Sequence, residues 1–114
     1  MTVLTPKKRA EIADDIWQWL EAHELTAEVA IYANGLKRTA QGLVLGVASQ
    51  VTQYADDNSV TVTFEGPLYE LINYGAVGDI PSNEWREDFQ RIFERHGCFY
   101  ELGQAWNLTV YPLD

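Results

Sequence analysis

The chain is poor in cysteine, in histidine and in positive charge, and each shortage removes a class of function. Cys98 is the single cysteine in 114 residues, so neither an intrachain disulfide nor a cysteine-based zinc site can form. The two histidines, His23 and His96, fall near the ends of different predicted helices with no acidic side chain at metal-ligand spacing, so no metal and no cofactor is expected. Lysine and arginine together number 8 against 17 aspartates and glutamates, a formal net charge of −9. The basic residues fall in three small groups, Lys7/Lys8/Arg9, Lys37/Arg38 and Arg86/Arg91/Arg95. Such groups cannot neutralise a run of phosphates, and an anionic membrane would repel the chain, so direct nucleic-acid binding and membrane binding are both disfavoured.

Long apolar runs are missing as well. The longest uncharged stretch, Thr39 to Ala55, contains Gln41, Ser49, Gln50, Thr52 and Gln53 and falls short of the ~20 residues of a membrane span. The segment after Thr5-Pro6-Lys7-Lys8-Arg9 lacks the apolar core of a signal peptide, so a reducing cytoplasm is the expected location. Neither G-x-G-x-x-G nor G-x-x-x-x-G-K-S/T occurs, which sets aside the Rossmann and P-loop nucleotide chemistries.

What the chain does hold is aromatic surface: four Trp, six Tyr and four Phe, enough to build a substantial core or contact area in one domain spanning residues 1–114. A first helix is predicted from about Pro6 to His23. Thr5 suits its N-cap, Pro6 its first turn, and Ile12, Ala13, Ile16, Trp19 and Leu20 form an apolar stripe with Trp17 at its border. Ala27 to Ala33 alternates as a strand and runs into Asn34-Gly35, the residue pair of a type I′ hairpin turn. A β-favouring tract follows from Leu43 to Tyr54, then a turn at Ala55-Asp56-Asp57-Asn58, then a cleanly alternating strand from Ser59 to Glu65. Leu68 to Tyr74, closed by Gly75, reads as a short helix, and Ala76 to Pro81 as a loop. Ser82 is placed to cap a last helix with Trp85, Phe89, Ile92 and Phe93 on its apolar face, ending at His96-Gly97. Phe99 to Leu102 and Ala105 to Tyr111 close the chain as a hairpin. Runs of strands and runs of helices, rather than strict alternation, predict an α+β fold: an antiparallel sheet of about four to six strands with the helices packed on one face.

No constellation of residues spells out a catalytic site, and the chain reads as a non-catalytic binder. His96-Gly97-Cys98 is the only place where a nucleophile and a base lie close in sequence, but catalytic pairs meet through the fold. Cys98 is better explained as a small core hydrophobe and His96 as a cation at a helix C-terminus. Asp56-Asp57-Asn58 lacks the alternating carboxylates, glycine and distal glutamate of a calcium loop and reads as a turn.

The arrangement of charge is more informative. On the last helix acids precede bases, and Glu87 with Arg91 forms an i,i+4 pair, so local stability accounts for that face. The first helix reverses this order: Lys7, Lys8 and Arg9 stand at its positive end, Glu21 and Glu24 near its negative end, and Glu11 faces Asp15. A local rule broken without visible compensation points to function, here the docking of a basic surface on a partner protein. The residues expected to carry it are Glu11, Asp14, Asp15 and Glu21 with Trp17 and Tyr32 as exposed aromatic anchors, while Trp19 and Trp85 are expected in the core. One form of such a regulator or inhibitor is a nucleic-acid mimic that occupies a partner's phosphate-binding groove. The alternative is a small-molecule binder or minor enzyme with an aromatic pocket near Tyr74, Tyr100 and Trp106.

Overall fold

In the computed structural model, which describes residues 3–113, the first helix forms where periodicity and capping place it. Helix α1 spans Pro6–Ala22, and the Thr5 hydroxyl accepts the Lys8 N–H at its start. Ile12, Ile16 and Leu20 are fully buried beneath it. Strand β1 (Val29–Ala33) turns through Asn34 (φ 54°) and Gly35 (φ 77°) into β2 (Leu36–Thr39), the two positive φ values that a type I′ turn demands. Strand β3 (Gly42–Leu45) and strand β4 (Thr61–Phe64) follow, then α2 (Pro67–Tyr74), closed by Gly75 in the left-handed conformation. A small ribbon of β5 (Ala76–Val77) and β6 (Ile80–Pro81), helix α3 (Asn83–Arg95), and strands β7 (Cys98–Leu102) and β8 (Asn107–Pro112) complete the chain.

The main sheet has six strands in the order β3-β2-β1-β4-β8-β7, and every neighbouring pair is antiparallel. The chain is therefore a single α+β domain. Its core lies between the sheet and the three helices on one face: Val29, Ile31, Val62, Phe64, Leu108 and Val110 point into it from the strands. Phe89, Ile92 and Phe93 of α3 and Leu68 and Leu71 of α2 meet them from above.

The tract from Leu43 to Tyr54 departs from its strand prediction. It is extended only as far as Leu45, and a 3-10 turn at Ala48–Gln50 follows. Residues 47–58 then fold back over the second face of the sheet, because that face is polar and bonds the segment in place. Thr109 donates its hydroxyl to the Tyr54 carbonyl (3.1 Å), and the Thr61 hydroxyl donates in turn to Thr109 (3.0 Å). The Ser59 hydroxyl donates to the Val110 carbonyl, and Asp57 accepts the Ser49 N–H (3.2 Å). Gly103 fits only without a side chain, since a Cβ there would overlap Tyr54 and Asn107. Two smaller departures concern α3. The predicted loop before it is the β5–β6 ribbon, and Ser82, although at the N-cap position, turns its hydroxyl to the Ile80 carbonyl (2.9 Å) instead of the helix.

The tryptophans exchange their expected roles. Trp17, expected at the border of the α1 stripe, is 4% exposed and belongs to the core. The helix is flanked on two sides, by α3 and by the β1–β2 hairpin, so its buried arc is wider than the five periodic residues suggest. The Arg38 guanidinium of β2 lies 5.4 Å from the Trp17 ring centroid and closes that flank. Trp85, expected in the core, is 37% exposed, because it stands in the first turn of α3 beyond Phe89 and the packed centre. Tyr32, expected to be exposed on the outer face of β1, is buried with Ala30 and Ala48 where residues 47–58 cover that face.

Candidate functional site: an acid-rimmed aromatic surface

Three of the four acids expected to dock a partner have basic groups of this same chain beside them. Glu11 lies 3.9 Å from Lys8, Asp14 lies 3.8 Å from Arg38, and His96 Nε2 donates to Asp15 across 2.6 Å. The last two partners come from β2 and from the end of α3, so no helix-spacing rule reveals them. Glu11, Asp14 and Asp15 are thus compensated in the fold, while, among the described residues, Glu21 and Glu24 at the negative end of α1 are not, and with Trp17 and Tyr32 buried, the exposed anchors expected on this face are not there. Glu21 remains exposed near the end of the helix.

That end of α1 is where half-buried rings of the helix meet the exposed Trp85 of α3. The His23 ring stacks on Trp19 at 4.0 Å between centroids and meets Trp85 edge-on at 4.7 Å. Its Nδ1 is fixed 2.8 Å from the Trp19 carbonyl. Trp19, expected in the core and half-buried against it, reaches Phe89 at 5.5 Å, so the stack runs from exposed Trp85 into the core. Beside Trp85 an open groove is lined by Val77, Ile80, Pro81 and Glu84, with Ile80 69% exposed.

The groove has a firm base. Glu70 of α2 accepts the Gly78 N–H at 2.7 Å and so holds the β5–β6 ribbon, and the Ser82 N–H donates to the Gly75 carbonyl at 2.7 Å. Arg86 is committed to structure: it donates to the Ile72 carbonyl at the C-terminal end of α2 and to Asn83 Oδ1, the placement a cation prefers at a helix C-terminus. Glu84 lies in the groove wall, Asp79 in the ribbon's turn, and Glu21 and Glu24 flank His23 in sequence. Among the described residues, none of these four acids has an ion-pair partner. An aromatic patch bordered by uncompensated carboxylates suits a cationic partner: the ring faces attract cations and the rim supplies the countercharge.

The other candidates resolve differently. Tyr100 packs against Phe89 (5.8 Å) and Phe93 (5.0 Å), and burial pushes its hydroxyl pKa up against the opposing effect of Arg86. Tyr74 meets Tyr69 edge-on at 6.1 Å, and Trp106 lies before β8, where its carbonyl accepts the Phe64 N–H. No ring contact joins Tyr74, Tyr100 and Trp106 among the described residues. The Cys98 thiol donates to the His96 carbonyl (3.4 Å), while the His96 ring is turned to Asp15. Burial raises the thiol's pKa, partly offset by Lys8, which opposes formation of a thiolate nucleophile. Among the described residues no three His, Cys, Asp or Glu side chains cluster, and no helix is long and apolar enough to cross a membrane.

The sequence carried one signal for the true position of the aromatic surface. His23 and Glu84 come together beside Trp85 only after α1 packs against α3, and the base-free stretch between Arg9 and Lys37, which ends α1 with Glu21 and Glu24, was the one trace of this acidic end in the sequence. Comparison with protein-family models, with curated proteins and with solved structures finds no significant match.

Proposed function

We propose that this chain is a non-catalytic binding module that docks a basic surface of a partner protein through the Trp85 patch. The observation that carries the reading is an exposed Trp85, held edge-on against His23, in a groove it shares with Ile80 and Glu84; Glu84, and Glu21, Glu24 and Asp79 on the neighbouring α1 end and ribbon turn, have no ion-pair partner among the described residues. Tryptophan supplies large binding energy where it is desolvated, and rim carboxylates steer a basic partner toward it. The chain's own basic groups support the same polarity. Arg9, Arg38, Arg86 and Arg91 are tied to partners within the fold and leave little free positive charge to recruit an acidic ligand. The role is regulatory or inhibitory in a reducing cytoplasm, and in its nucleic-acid-mimicking form the patch occupies a partner's phosphate-binding groove.

Affinity capture from native cell extract tests this, carried out at ~0.05 and ~0.5 M salt, a span that shortens the Debye length severalfold. Wild type is to be compared with Trp85→Ala and with Leu102→Ala, an exposed leucine on β7. A basic protein captured at low salt, released at high salt, lost with Trp85→Ala and kept with Leu102→Ala is the expected result. Equal capture by wild type and Trp85→Ala removes the patch from the reading.

A further inference from the structure

We infer that β3 is a homodimerisation edge, pairing antiparallel with β3 of a second copy about a two-fold axis at Val44. The strand ends the six-stranded sheet and is exposed along its whole length, with Val44 57% and Leu45 86% accessible. Natural sheet edges are guarded by shortness, lysine, proline or inward charge; β3 is short, at four residues, but no charged residue and no proline occurs between Thr39 and Ala55.

The backbone fixes what can cover it. The Gly46 N–H bonds to the Gly35 carbonyl at 3.0 Å, and Gly42 faces Thr39 across the tight turn. In an antiparallel ladder the groups directed at one neighbour alternate along the strand. Gly42, Val44 and Gly46 therefore address β2, and Leu43 and Leu45 present their N–H and C=O groups outward, so the occupant is an extended strand.

A second β3 is the strand that matches. With Val44 opposite Val44 of the other copy, Leu43 of each chain stands opposite Leu45 of the other. The two Leu43–Leu45 pairs exchange all four outward hydrogen bonds, and the valines form the close, non-bonded pair between them. Every cross-strand pair is then apolar, with Leu43 and Leu45 on the helix side and Val44 on the other. Like charges are not brought opposite each other, although each copy carries a net charge of −9, because the nearest charged residues, Lys37 and Arg38, lie one strand back. The two-fold arrangement is closed, so association stops at the dimer and does not run on into a fibre. A four-residue edge makes a small interface, so the dimer is weak and concentration-dependent.

Analytical ultracentrifugation across a concentration series tests this with Val44→Lys, Val44→Glu and their equimolar mixture. Val44 is exposed, so thermal melts should show both variants folded. The wild type is expected to pass from monomer to dimer as concentration rises. Each variant alone stays monomeric, because two like charges meet at the axis, and the mixture recovers a heterodimer through the Lys–Glu pair. A wild type that stays monomeric up to millimolar concentration, or variants that dimerise as the wild type does, would overturn the assignment.

Discussion

Replacing Trp17 and Trp85 in turn by alanine separates a core tryptophan from a contact tryptophan, and the structure gives each a different cost. Trp17 is 4% exposed in the α1 layer, so truncation leaves an enclosed cavity in addition to the lost transfer energy. Such changes cost about 3–5 kcal/mol, a large share of the ~5–15 kcal/mol that holds a domain together. At about 4 °C per kcal/mol for a domain of this size, the melting point falls by about 12–20 °C. Trp85 keeps 37% of its surface in water and meets His23 edge-on at a rim that solvent fills once the ring is gone. Without a cavity its loss is about 1–2 kcal/mol, or about 4–8 °C. Arg38 over the Trp17 ring adds a coupling of about 0.5–1 kcal/mol, measurable in a double-mutant cycle with Arg38→Ala. The assay is thermal and urea unfolding followed by circular dichroism. A Trp17→Ala protein that melts within about 4 °C of the parent, or a Trp85→Ala protein that loses more than Trp17→Ala, would refute the packing described here.

Other consequences are as specific. Asp15→Ala removes the acceptor for the His96 ring, whose Nδ1 is already buried without a partner, and should cost about 1–3 kcal/mol, whereas Asp15→Asn, whose amide oxygen still accepts, should recover much of that loss; equal melting points for the two variants would contradict the hydrogen bond. Gly103→Ala forces a Cβ into Tyr54 and Asn107 and should cost about 1–3 kcal/mol in urea unfolding, with faster hydrogen exchange confined to residues 47–58; an unchanged exchange pattern would contradict that packing. Burial raises the Cys98 and Tyr100 pKa values, so the protonated forms are favoured in the folded state. The stability they contribute is complete below the unfolded values, about 8.5 for a thiol and 10 for a phenol, and is lost as pH rises through the raised folded values. Cys98→Ala should fold, bind as the parent does and lose the thiol's part of that alkaline decline; an identical pH profile would contradict the burial effect.

Much of the fold could be read from local chemistry. Thr5-Pro6, Asn34-Gly35 and Gly97 mark an N-cap, a hairpin turn and a helix end by backbone rules that act within a few residues, and each stands where those rules place it. The alternation of Val60, Val62 and Phe64 marked the core face of β4 for the same reason. The second face of the sheet was not legible, because periodicity records which side of a strand is apolar and cannot record that Ser59, Thr61 and Thr109 are covered by a segment they bond. The partners of the α1 acids were hidden on the same ground. The partners of Asp14 and Asp15 are Arg38 and His96, brought close only by tertiary packing, so charges that looked unrelieved along α1 are relieved across it. Trp85 lay on the correct stripe of α3, but a stripe does not tell where along the helix the core ends.

The central claim, that an acid-rimmed Trp85 surface docks a basic protein, is tested most directly by the association rate of the captured partner as a function of salt. Steering by rim carboxylates predicts that raising salt from ~0.05 to ~0.5 M slows association about tenfold or more. It further predicts that replacing Glu21, Glu24, Asp79 and Glu84 by their amides flattens that dependence, and that Trp85→Ala mainly speeds dissociation. An association rate that does not change with salt, or that the four amide substitutions leave unaltered, would contradict it.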